Sequence, residues 1–190
     1  MNKLSKIQYN SPVVLTFFLI SLTSLILGEI TSGASTRALF MIYPSSMRDP
    51  LFYIRIFAYI FGHGSFDHFF GNMLMLLVLG PLLEEKYGSK IIAAMIAFTA
   101  LVTGFIFLAL GTAALGASGI VFMFIILSGF VNMRSGRIPL TLILCVVLFL
   151  GREVIHSVTI VSNTSHAGHI IGGICGSFVG FYANRRKNLS

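Results

Sequence analysis

The stretch Gly111-Thr112-Ala113-Ala114-Leu115-Gly116-Ala117-Ser118-Gly119 interrupts a run from Ile91 to Met133 that carries no charged residue. At about 1.5 Å of rise per residue, an unbroken helix over that run would be roughly twice the length needed to cross a ~30 Å hydrocarbon core. The run therefore folds as two membrane helices joined at the glycines, and Ser118 opens the second. A helix start offers free backbone N–H groups and the positive end of the macrodipole. A hydroxyl there, between glycines that let other groups come close, suits attack on a carbonyl. A serine among small residues also makes helix-packing contacts, so the stretch alone does not distinguish chemistry from packing.

Composition agrees with a membrane setting. Of 190 residues 56% are hydrophobic and only 10% are charged, and the mean hydropathy is +0.91, which excludes a soluble domain with a polar surface. The net charge of +7 comes mainly from bases at the ends of apolar runs, where they orient helices. It reads as topology, with no nucleic-acid partner. Cys145 and Cys175 both fall inside apolar runs, so neither a disulfide framework nor a cysteine metal site is indicated.

The expected architecture is an all-α membrane protein of six spans, a single domain over residues 1–190. The spans are about 13–30, 68–84, 91–110, 117–133, 138–156 and 165–183. Lys3 and Lys6 ahead of the first place the N-terminus in the cytoplasm, and that span reads as retained rather than as a cleaved signal. Between spans one and two, Thr31 to Asp67 mixes Pro44, Pro50, Arg37, Arg48, Arg55 and Asp49 with aromatic and aliphatic residues. Such a loop lies at the membrane surface as short amphipathic helices. Span two ends in the charged turn Glu84-Glu85-Lys86-Tyr87-Gly88-Ser89-Lys90, and Arg134 with Arg137 closes span four. With six spans, the basic groups at the N-terminus, after spans two and four, and at Arg185-Arg186-Lys187 all face the cytoplasm. The long loop, Ser118 and the start of span six then face outward.

Three polar sets fall at those outward ends. His68 and Asn72, four apart, share a face of span two; both can donate to a developing oxyanion, and His63 precedes them. Ser118 is the second set. The third is His166 and His169, in a span whose glycines at 172, 173, 176 and 180 leave one face bare for close helix approach. An ionisable side chain inside a membrane helix is a functional hypothesis by default. Serine, imidazole and donors are the parts of a nucleophile, a base and an oxyanion hole.

This combination resembles a rhomboid intramembrane serine protease of the bacterial type with a six-span core. The matching elements are His63-x4-His68-x3-Asn72, Gly80-x3-Glu84, Gly116-Ala117-Ser118-Gly119 and His169-x2-Gly172-x3-Gly176, with Gly173 inside the last. Arg55 resembles the arginine of the family's first-loop Trp-Arg pair. The resemblance implies a Ser118–His169 dyad without an acid, an oxyanion held by the Ser118 backbone N–H with His68 and Asn72, and Phe122 beneath the imidazole. It also implies a multi-pass plasma-membrane enzyme whose cavity opens outward, and substrates that are single-span membrane proteins cleaved near their outer end. Span five and the loop after it, about Ile138 to Asn163, would move aside to admit them. Two departures stand out: Ile54 occupies the usual tryptophan position, and Phe122 that of a frequent tyrosine. No cofactor is expected. A metal site on His63, His68, His166 and His169 lacks a His-Glu-x-x-His pattern and has only Asp67 as a nearby acid. A proteolytically inactive relative that binds membrane helices, or a small transporter, would be the other readings.

Overall fold

Pro12 opens the first helix, α1 (Pro12–Ile30), at a position where its fixed φ and missing N–H cost nothing. The computed structural model describes residues 10–132, 140–141, 143–148, 151, 171–175, 178 and 182. Within them follow α2 (Ala34–Leu39), α3 (Pro50–Ala58) with a 3-10 turn at Tyr59–Phe61, α4 (Phe66–Tyr87), α5 (Ser89–Ala109) and α6 (Ser118–Asn132). The described residues of 140–151 and 171–182 are also helical. Arg134 and Arg137, most of the loop after span five, His166, His169, Gly176 and the basic C-terminal group lie outside the described residues.

By length and composition α1, α4 and α5 can each cross a membrane, and α6 is a shorter apolar helix. Exposed large apolar side chains run along the outer faces: Leu19 and Ile26 on α1, Leu74 and Val78 on α4, Phe98 and Phe105 on α5. Lipid is the solvent such faces suit. In contrast, α6 is buried nearly all round, with Ile120, Val121, Met123, Phe124, Ile125 and Leu127 in the core. It is the central helix.

Gly80 is where the bundle closes. A β-carbon there would sit 2.6 Å from Val14 Cγ2 and 3.3 Å from Phe124 Cε2, so α1, α4 and α6 meet on one missing side chain. One turn further on, the buried Glu84 carboxylate accepts hydrogen bonds from the backbone N–H groups of Val13 at 3.0 Å and Val14 at 3.1 Å. It thus caps the start of α1 from a neighbouring helix. The charged turn expected from Glu84 is therefore still helix, and α4 runs on to Tyr87.

Residues 31–65 hold two short helices and the 3-10 turn, folded around Arg55, which is 2% exposed. Its guanidinium pairs with Asp49, donates to the Ser45 hydroxyl at 2.9 Å and lies 4.6 Å from the centre of the Tyr43 ring. Asp49 in turn accepts from Leu51 N–H and caps α3. The bond from Arg55, then that from Leu51, hold its carboxyl below the usual range. Ile54, standing where the resemblance would have a tryptophan, is 48% exposed beside Tyr53 and Phe57. Phe52, Ile56 and Tyr59 face inward. The loop is thus amphipathic as expected, but its inner face is bundle core rather than headgroup contact.

Candidate active site

Ser118 is the first residue of α6 and is partly exposed. The strand of chain that delivers it is stitched to the first loop. Ile42 and Ala114 exchange both backbone hydrogen bonds at 2.9 Å, and Gly116 N–H donates to Tyr59 O at 2.9 Å. Tyr59 is itself fixed, because its hydroxyl donates to Ala100 O of α5 at 2.9 Å. Gly116 then turns with φ +120, a conformation side chains rarely adopt. A β-carbon on it would lie 2.7 Å from Cε1 and 2.9 Å from Nε2 of His68. The bare Cα brings the His68 imidazole against the backbone two residues before Ser118.

On α4 the Ser65 hydroxyl accepts from His68 N–H at 3.2 Å, so the helix begins just in time to place His68 and Asn72 one turn apart. Asn72 has no exposed surface. Its Nδ2 faces His63 Nε2 at 3.4 Å, and His63 Nδ1 faces Phe61 O at 3.1 Å. A carbonyl can only accept, so Nδ1 carries the proton, Nε2 accepts, and Asn72 Nδ2 donates. Burial, then the neighbouring His68, push the His63 imidazole down to about 3, so the ring is neutral at working pH. The second Nδ2 proton remains for another acceptor, while Asn72 Oδ1 has no partner among the described residues. The His63 and His68 rings meet edge-on, 5.1 Å between centroids.

The described helical residues 171–175 reach the start of α6 through their glycines. A β-carbon on Gly172 would collide with the Gly119 carbonyl, and one on Gly173 would lie 2.5 Å from Phe122 Cε1. Gly172 and Gly173 are both buried, and two backbones meet one residue past Ser118. Of the residues singled out in the sequence, His63, His68, Asn72 and Gly116 form one set of contacts, Gly172 and Gly173 touch Gly119 and Phe122, and Ser118 lies on the chain between Gly116 and Gly119. His169, His166 and Gly176 lie outside the described residues.

Two members of this region went unread in the sequence. Ile42 and Tyr59 hold the Ser118 joint by backbone groups, which leave no mark on residue type. The His63–Asn72 bond crosses from loop to helix, where no periodicity pairs the two. Among known families, the model described as Rhomboid domain matches residues 51–186. A comparison with curated proteins finds no match.

Proposed function

The chain belongs to the rhomboid family, a family of intramembrane proteases, and from that premise we propose that it is a serine endopeptidase cleaving membrane helices near their outer end. Ser118 is the nucleophile and His169 the base. The observation that carries this reading is the contact of Gly172 with Gly119. In the sequence His169 precedes Gly172 by three residues, as Ser118 precedes Gly119 by one. That contact supports pairing the family's serine and histidine motifs on these two helices.

In this mechanism the Ser118 hydroxyl attacks the substrate carbonyl as His169 takes its proton, and the protonated imidazole then delivers it to the leaving amine. Charge gathers on the carbonyl oxygen. The Ser118 N–H at the helix start, the free Asn72 Nδ2 proton and the His68 imidazole are the donors for it. Phe122 keeps an aromatic floor without a hydroxyl. Single-span membrane proteins in the bilayer are the substrates, with span five and the following loop as their entry. A substrate helix unwinds locally, because a helical peptide bond is shielded by its own backbone. In the proposed orientation both termini are cytoplasmic and the cavity opens outward.

The test is purified protein with a model single-span substrate and a fluorophosphonate probe. Ser118→Ala abolishes cleavage and labelling with the fold intact. His169→Ala abolishes both, while His166→Ala keeps a measurable part of each. Cleavage by Ser118→Ala at the parent rate refutes the serine mechanism. A folded parent that neither cleaves nor labels is instead a helix-binding relative without activity.

A further inference from the structure

Between α1 and α5 lies a groove of about 470 Å³. That volume lies within the range of small-molecule sites, about 300–1,000 Å³. Its walls are apolar, with Val13 and Phe17 from α1 and Ala93, Ile96 and Ala97 from α5. Along α5 the lining runs from Ser89 to Ala100, about 16 Å of helix, or close to half of a ~30 Å hydrocarbon core.

The two ends differ. At the far end Phe57, Ile60 and Phe61 of the first loop form a roof, held there by the Tyr59 hydroxyl on Ala100 O and by the Phe61 ring packed 4.7 Å from that of Phe17. At the near end α1 and α5 both begin, and the Ser89 hydroxyl joins the lining. Lys86 and the exposed Lys90 flank Ser89 in the chain. Of the acids there, Glu84 is buried on the α1 backbone and Glu85 alone is exposed. The balance at the mouth is basic.

From these features we infer that the groove binds one anionic phospholipid, an acyl chain between α1 and α5 and the phosphate at the Ser89–Lys90 mouth. A membrane helix does not fit, since it would have to pass through the roof. An acyl chain of one leaflet ends at the midplane, where the roof stands. Lipid held there fills the space beneath the first loop, the same loop whose Ile42 and Tyr59 fix the joint before Ser118.

Two measurements test it. In native mass spectrometry from detergent, added phosphatidylglycerol is retained one per protein in preference to phosphatidylcholine. Lys90→Glu reduces that preference about fivefold or more, the worth of one lysine at a charged membrane surface. Filling the groove with Ala97→Leu or Ala93→Phe lowers retention of both lipids. Equal retention of the two lipids by the parent overturns the headgroup assignment, and unchanged retention in a folded, filled variant overturns the groove. The second measurement uses the parent chain, so it holds even if the filled variants do not fold. Phosphatidylglycerol with a photoreactive group near the end of one acyl chain crosslinks to residues 12–20, 57–61 or 89–100. Adducts spread evenly over the outer faces of α4 and α5, or a parent that runs as a dimer with the groove protected, overturn the proposal.

Discussion

Asn72 has one amide to serve two acceptors. One proton goes to His63, and the other is proposed for the oxyanion. Asn72→Ala is therefore expected to lower kcat by roughly tenfold to a thousandfold, the cost of one such donor, with KM changed little. Single-turnover cleavage of a model substrate measures it, and unchanged kcat would leave Asn72 a packing residue. His63 also gives stability a pH dependence. Its imidazole titrates near 3 in the folded chain and near 6.5 when unfolded, so between those values the unfolded chain holds more protons. Stability from this residue is complete above pH 6.5 and is lost as pH falls toward 3, by at most about tenfold in the folding equilibrium per pH unit. Unfolding of the parent and His63→Gln in detergent from pH 7.5 to 5 is expected to show the steeper loss in the parent. Parallel curves would mean that His63 is not buried neutral. The placement of His68 and Asn72 one turn apart on a helix, and of Ser118 at a helix start, was legible beforehand because apolar runs and glycines mark those helices. The tautomer of His63 was not, because it depends on where the Phe61 carbonyl happens to point.

Among elements, the pairing of α1 with α4 shows where reading helices from apolar runs stops. The runs locate α1, α4, α5 and α6 because water-averse stretches long enough to cross a bilayer have few alternatives. Their ends are another matter. Charge at Glu84 looks like an exit from the membrane, yet its carboxylate is spent on Val13 and Val14 N–H, and a paired charge gives the helix no reason to stop. At the other end Ser65 starts α4 by capping it, ahead of the apolar run. Gly80 is the tightest point of this packing. Gly80→Ala is expected to destabilise by about 1–3 kcal/mol through overpacking, and Val14→Ala in the same chain is expected to recover part of it by removing the methyls that the new β-carbon strikes. Thermal unfolding in detergent of the two single variants and the double decides this. Strictly additive losses would show that the two positions do not compete for space.

At the scale of the whole molecule, the sidedness proposed from the distribution of Lys and Arg is one that labelling can read. With Cys145 and Cys175 replaced, Met47→Cys, which sits at a residue 70% exposed in the first loop, is expected to react with a membrane-impermeant thiol reagent added outside cells. Lys90→Cys is expected to react only after the membrane is opened. The opposite pattern would turn every span over and put Ser118 on the cytoplasmic side. The long first loop was legible as a segment of short helices, from its prolines and mixed charge. Its hold on the Ser118 joint was not, since Ile42 and Ala114 pair through main-chain groups alone. That pairing joins segments made at different times during synthesis. Ile42 leaves the ribosome early, but the backbone it grips is made only after α4 and α5, and Gly172 follows seconds later at roughly 5–20 residues per second. Until residues 169–172 arrive, a nascent chain carries Ser118 with neither the base proposed for it nor the glycine that packs on Gly119.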